Sequence, residues 1–289
     1  IMAITASAVQ ELRKLTSAGM MACKKALTET NGDLEAAAKL LREKGEAKRS
    51  DRADRETGEG IVAAFVSSCG KTGILAEVNC ETDFVSKNEA FQSFVGEMIE
   101  AIANSDASDA TSALSVPFGE GTIENVLGAK FSELGEVIKI SNLTRFTVPA
   151  GAAASYIHMG GKVGVLIEVA TGNPATTEAP EFKELLKDIT LHVAAANPAG
   201  LSRNDIDGSV VEEENEINRK QLEAAGKPAN IIDNILKGKI NKFYGEQCLL
   251  EQSFVKNPDL SITQLLEAKA KELGDTITLV RYERFSIGS

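Results

Sequence analysis

The chain has 289 residues, of which 43% are hydrophobic and 25% charged, and its net charge is −11. This composition is typical of a globular protein, and the length predicts two or three domains. The acidic balance argues against direct binding of nucleic acid, which usually needs a basic surface. We find no run of about 18 apolar residues that would span a membrane. The N-terminal segment lacks the pattern of a secretory signal, so we expect a cytoplasmic protein.

Residues 1–46 are predicted to form a small domain of three short helices. Ser7 is predicted to cap the first helix, and Gly45 is predicted to end the third. A unit of this size is close to the lower limit for a core of its own, so we expect it to dock onto a partner. The adjacent Met20 and Met21 are candidates for that contact, since methionine adapts to varied surfaces. The alternative is that both belong to the core of the domain.

The segment 47–59 is charged, has no apolar face and is predicted to be a linker. Beyond it the sequence is duplicated. KTGILAEV at 71–78 matches KVGVLIEV at 162–169. Further on, TIENVLGAKFSELGEVIKISNLTRFTV at 122–148 matches SITQLLEAKAKELGDTITLVRYERFSI at 261–287. The chain therefore contains two copies of one structural unit.

Each copy is predicted to run strand, strand, helix, helix, strand. This order favours two small antiparallel sheets covered by helices, in core unit 1 at 60–149 and core unit 2 at 150–289, and hence an α+β fold. The second copy contains an insertion, and its pattern at about 208–245 predicts an antiparallel helical hairpin closed by Gly-Lys-Pro. The hairpin is expected either to project toward a partner or to lie on its parent unit.

The two copies differ at the corner between the second strand and the first helix of each unit. Core unit 1 reads Thr82-Asp83-Phe84-Val85 there, whereas core unit 2 reads Asn-Pro-Ala-Thr at 173–176. If the shared core needed Phe84, its counterpart should also be bulky, but it is Ala175. Ser86 and Glu89 are predicted to form a capping box, which leaves Phe84 outside the buried face of the helix. We therefore expect a rigid exposed aromatic held for a partner, the alternative being a side chain in the core.

The sequence shows no residue pattern typical of a catalytic or metal site. No two of the four cysteines form a C-x-x-C pair, so we expect free thiols and no metal. The phosphate-binding pattern G-x-x-x-x-G-K-[ST] does not occur, and no cofactor is expected. Cys80 with His158 or His192 is conceivable as a thiol nucleophile and base, but nothing in the sequence orients such a pair. We expect no catalytic residue and no enzyme.

Three stretches together resemble the translation elongation factor Ts family: ITASAVQELRKLTSAGMMACKKALTETNGDLEAA, EVNCETDFVSKNEAFQSF, and GKP in the predicted hairpin. The resemblance covers nearly the whole chain. It implies an exchange factor that binds the GDP form of the GTPase elongation factor Tu. Such a factor disturbs the Mg²⁺ and phosphate site of the GTPase and promotes GDP release so that GTP can rebind. It also implies a head similar to ubiquitin-associated domains and a hairpin that serves homodimer formation or partner contact.

The resemblance implies roles for particular residues. The corner residues implied to reach the Mg²⁺ region of the partner are Thr82, Asp83, Phe84 and Val85. The head residues implied to touch the partner are Leu12, Gly19, Met20 and Met21. In core unit 2 the implied contacts are His158 and Met159. The chain departs from the family pattern Thr-Gly-Ala-Gly-Met-Met at Ser17, which stands where relatives often have glycine.

Overall fold

A computed structural model of the chain describes residues 4–16, 18, 20–51 and 57–288. The N-terminal helices are α1 Ala6–Thr16, α2 Met20–Glu29 and α3 Leu34–Asp51. Their apolar faces meet in a core of their own, as the helical spacing predicts. Gly19 lies outside the described residues.

Two details of the head differ from the sequence prediction. Thr5, not Ser7, caps α1, because its hydroxyl oxygen accepts the backbone N–H of Ala8 at 3.2 Å. The third helix does not end at Gly45 but continues to Asp51. A glycine inside a helix lowers its stability by only about 1 kcal/mol relative to alanine, so a helix can continue through it when good helix formers lie on both sides. The boundaries predicted between the head, the linker and the two core units stay predictions.

Core unit 1 forms a three-stranded antiparallel sheet in the order β1–β2–β5, with helices on one face. Its elements are β1 Glu59–Val66, β2 Thr72–Cys80, α4 Asp83–Ser86, α5 Glu89–Ala103, α6 Ala110–Ala113, β3 Pro117–Phe118, β4 Gly121–Thr122, α7 Ile123–Leu134 and β5 Lys139–Thr147. Helix α5 buries the apolar residues that recur at helical spacing along one side. The head rests on this unit through a contact of α3 with α7.

Core unit 2 repeats the plan with the sheet order β10–β7–β6. Its elements are β6 Ala152–His158, β7 Val163–Thr171, α8 Pro180–Ala196, α9 Gly208–Ala224, α10 Ala229–Gln247, β8 Ser253–Phe254, β9 Asn257–Ser261, α11 Ile262–Leu273 and β10 Ile277–Ser286. Helices α9 and α10 form the inserted hairpin, which has a small apolar seam of its own. The predicted α+β fold, with a three-helix head, a duplicated core and an inserted hairpin, is confirmed.

The two units contact each other through two equivalent backbone hydrogen bonds. The carbonyl of Gly70, between β1 and β2, accepts the N–H of Ala153 in the other unit at 2.8 Å. At the corresponding place, the carbonyl of Gly161, between β6 and β7, accepts the N–H of Val62 at 2.7 Å. Each turn therefore lies against the first strand of the opposite unit.

Among the described residues, none of the helices combines the length and apolar character that crossing a bilayer requires.

Candidate partner-binding site

The corner after β2 folds as one isolated helical turn, α4, followed by a separate start of α5. The predicted capping box of Ser86 and Glu89 is wrong, because Asn88 caps α5 by accepting the N–H of Ala90 at 2.8 Å. A cap residue needs extended backbone, and the chain becomes extended only at Asn88. Ser86 is buried instead, and its hydroxyl donates to the carbonyl of Asp83 at 3.2 Å. The turn is thus closed on itself and attached to the core at its C-terminal end.

Phe84 points away from this turn into solvent. Its side chain is 84% exposed, the highest value among the large exposed apolar residues that the structure describes. The next residue, Val85, packs against the core of unit 1. The prediction that Phe84 lies outside the core is confirmed. An exposed phenylalanine gains no burial energy in the isolated chain. Such side chains commonly serve as interface anchors.

A carboxylate in the loop before the neighbouring strand β5 holds the start of this corner. Glu136, which precedes β5, accepts the backbone N–H of Thr82 at 3.1 Å and its hydroxyl at 2.5 Å. In the opposite direction, Glu81 accepts the N–H of Val137 at 2.9 Å. The corner and the loop before β5 are therefore joined through both carboxylates.

The matching corner of core unit 2 is also held by an acid, but it has no aromatic side chain. Asp275 accepts the N–H of Asn173 at 3.0 Å and the hydroxyl of Thr176 at 2.6 Å. Ala175 is exposed where core unit 1 exposes Phe84. The anchoring acid thus belongs to the shared fold, and the exposed aromatic is specific to core unit 1.

A neighbouring lysine pairs with the acid of the corner. Lys87 donates to the carboxylate of Asp83 at 2.6 Å, and this hydrogen bond lowers the pKa of Asp83 below its ordinary value. Both side chains are largely exposed, so the pair adds little stability. The pair places a carboxylate, which is ionised at neutral pH as an aspartate ordinarily is, one residue from Phe84.

The β6–β7 turn of core unit 2 lies at the same end of the molecule. Lys162 in this turn pairs with Glu59 of β1 at 2.5 Å, and Glu59 lies opposite Cys80 at the end of β2. Met159 is 72% exposed and has a left-handed backbone with φ of 50°, which is uncommon for a residue other than glycine. His158 is exposed beside it. The structure therefore brings the predicted residues of core unit 2 to the side of the molecule that carries the corner.

The head residues are placed less uniformly. Leu12 is fully buried in the core of the head, so its side chain is not available to a partner in this structure. Leu15, which lies nearly one turn further along α1, is 68% exposed, and the sequence did not single it out as a candidate contact. The two leucines are three residues apart and so share one side of the helix, but this spacing does not tell which of them stays uncovered in so small a domain. Met20 and Met21 are both exposed, so the alternative that they are core residues is wrong.

The cysteine that could have been a nucleophile is inert in this setting. Cys80 is buried, its thiol donates to the carbonyl of Thr82 at 3.2 Å, and burial raises its pKa to about 11. A thiol with such a pKa is almost wholly protonated at neutral pH. His192 is also buried, and Gln252 and the N–H of Val255 occupy its two ring nitrogens. Among the described residues no cluster of side chains suits a metal ion.

Comparison with known proteins identifies the family of the chain. A family model described as Elongation factor TS matches residues 81–289. An Elongation factor Ts of Trichlorobacter lovleyi is 43% identical over 290 residues, covering 99% of this chain and 93% of the relative. An Elongation factor Ts of Clostridium perfringens is 45% identical over 286 residues, with the same coverage of both chains. The chain therefore belongs to the elongation factor Ts family and is a factor of translation elongation.

Proposed function

We propose that this chain is a guanine-nucleotide exchange factor for elongation factor Tu. It binds the GDP-bound GTPase in the cytoplasm, brings Phe84 and Asp83 to the Mg²⁺ and phosphate region, and promotes GDP release so that GTP can bind. One observation carries the proposal: Phe84 is 84% exposed on a turn that is anchored on both sides. The duplicate corner, which is held by the equivalent acid Asp275, has no such residue.

An exchange factor needs no nucleophile and no cofactor of its own. It has to bind the nucleotide-free GTPase more tightly than the GDP-bound form, and the coupling is reciprocal. Mg²⁺ at a nucleotide site is held by few protein ligands and keeps several waters, so small shifts of those ligands weaken it. A rigid apolar side chain pressed beside the site, with a carboxylate next to it, is suited to produce such a shift.

Phe84 alone supplies only part of the effect. Burial of one phenylalanine side chain contributes about 1.5–3 kcal/mol, which corresponds to roughly ten- to a hundredfold in rate or affinity. The remaining binding energy would come from further exposed apolar residues. These residues are Met159 in the β6–β7 turn and Leu15, Met20 and Met21 in the head. The hairpin of α9 and α10 would add a homodimer contact or a further contact with the partner.

The test is the dissociation of a fluorescent GDP analogue from elongation factor Tu, chased with excess GDP. The dissociation rate should rise with the concentration of this chain and then saturate. The same series is repeated after Mg²⁺ is removed with a chelator. If the chain acts through the Mg²⁺ site, its acceleration should shrink when the ion is already gone. Binding without any change in the rate would instead indicate a passive carrier, and an equal acceleration with and without Mg²⁺ would move the action to another part of the GTPase.

A further inference from the structure

Two carboxylates join the corner to the loop before β5 in a reciprocal arrangement, which we call the carboxylate clasp. Glu136 accepts the N–H and the hydroxyl of Thr82, and Glu81 accepts the N–H of Val137. Each acid thus binds the residue that follows the other in sequence. Both acids are half-buried, which favours hydrogen bonds over exchange with water.

Core unit 2 has only half of this clasp. Asp275 stands at the position of Glu136 and holds Asn173 and Thr176. At the position of Glu81 the chain has Gly172, where a Cβ atom would lie 2.6 Å from the carboxylate oxygen of Asp275. A side chain, and so a second carboxylate, does not fit there without a shift. The complete clasp therefore occurs in the unit whose corner exposes a phenylalanine.

We propose that Glu136 and Glu81 are positioning residues for nucleotide exchange, and that the complete clasp fixes the corner so that Phe84 meets the partner in one orientation. This inference rests on the proposed function. A corner without these hydrogen bonds would have to be ordered each time it entered the partner, at a cost in backbone entropy. A clasp that orders the corner beforehand removes this cost from the step in which Phe84 is inserted.

The placement of the anchored atoms supports a role in presentation. Thr82 is the residue that starts the α4 turn, and its extended backbone sets the direction in which that turn leaves β2. Ser86, which ends the turn, is already buried in core unit 1. At the other end, the thiol of Cys80 donates to the carbonyl of Thr82 at 3.2 Å, and the clasp adds hydrogen bonds to the N–H and the hydroxyl of the same residue.

The chain contains no tryptophan, so Phe84→Trp introduces a single fluorescent reporter at the corner. The time-resolved anisotropy of this tryptophan is measured with the clasp intact, with Glu136→Gln and with Asp275→Asn. The glutamine keeps one acceptor but turns an N–H₂ group toward the donors of Thr82. The Asp275→Asn variant applies the same chemical change to the corner without the aromatic, so it controls for a general loss of stability. Thermal unfolding of both variants is followed in parallel.

We expect fast local motion of the tryptophan to increase in Glu136→Gln and to stay unchanged in Asp275→Asn. In the chain with its natural Phe84, Glu136→Gln should lower the saturating rate of GDP release by roughly tenfold, the value of one hydrogen bond to a charged group. The chain concentration that gives half of the saturating rate should change much less. Asp275→Asn should leave both the saturating rate and this concentration near their wild-type values.

Unchanged anisotropy in Glu136→Gln would overturn the positioning role, whatever happens to exchange. Equal losses of rate in Glu136→Gln and Asp275→Asn, in step with their thermal stability, would also overturn it, because the clasp would then be purely structural. If the unmutated chain does not accelerate GDP release at all, the proposed function fails and a role in exchange fails with it. The anisotropy comparison needs no partner, so it separates that result from a failure of the clasp itself.

Discussion

Truncation of Phe84 to alanine separates a role in the partner complex from a role in the fold. The side chain is 84% exposed, and its neighbours Val85 and Ser86 make the contacts with core unit 1. Surface substitutions away from packed or strained sites change stability by no more than about 0.5 kcal/mol. We therefore expect Phe84→Ala to unfold at the same urea concentration as the unmutated chain, within that margin.

The effect on exchange should be much larger. If the whole exposed ring is buried in the partner, its loss removes about 1.5–3 kcal/mol of stabilisation and slows GDP release by roughly ten- to a hundredfold at limiting chain concentration. The assay is stopped-flow dissociation of fluorescent GDP from elongation factor Tu. Val280→Ala is a matched control, since Val280 is 42% exposed on β10 and belongs to none of the predicted contacts. An unchanged rate in Phe84→Ala would show that the ring is not buried in the partner, and a loss of several kcal/mol of stability would show that it belongs to the fold.

Two further predictions concern the stability of the two core units. Gly60 and Gly151 occupy equivalent positions with φ of 149° and 100°, so alanine at either should cost at least about 1–3 kcal/mol in urea unfolding. Gly96 lies in open space on α5, so Gly96→Ala should instead raise the free energy of unfolding by about 1 kcal/mol. Equal stability of the three variants would contradict both expectations. His192 is buried, which lowers its pKa below the ordinary 6.5, so its contribution to stability should be present above pH 6.5 and lost as the pH falls through the lowered pKa. Urea unfolding at pH 7.5 and 5.5 checks the loss, and an NMR titration of His192 near 6.5 would show the explanation to be wrong.

Much of the fold could be predicted because the two units carry periodic patterns and repeat each other. The apolar residues of α5 recur at helical spacing, and the structure buries them together. The comparison of the two copies was also informative about the site. It contrasted Phe84 with Ala175 at equivalent corners, and both residues are exposed in the structure. A position that the shared fold leaves free is a place where one copy can acquire a new contact.

The details that were missed depend on atoms far apart in the sequence or on small differences in energy. Glu136 meets Thr82 only after β5 has paired with β2, so no local pattern marks it as an anchor. A signal did exist, since both copies place an acid after Glu-Leu-Gly, and the second of these acids, Asp275, anchors its own corner. The cap at Asn88 was missed because several nearby residues could cap a helix, and the extra turn of α4 decided among them.

Exchange by the proposed route requires that this chain favour the nucleotide-free form of its partner. Isothermal titration calorimetry of the chain with elongation factor Tu, once free of nucleotide and once saturated with GDP and Mg²⁺, measures this preference directly. The account predicts tighter binding to the nucleotide-free form, by the same factor by which the chain weakens the affinity for GDP. Equal affinities for the two forms would contradict it, because a ligand that does not discriminate between two states cannot shift them.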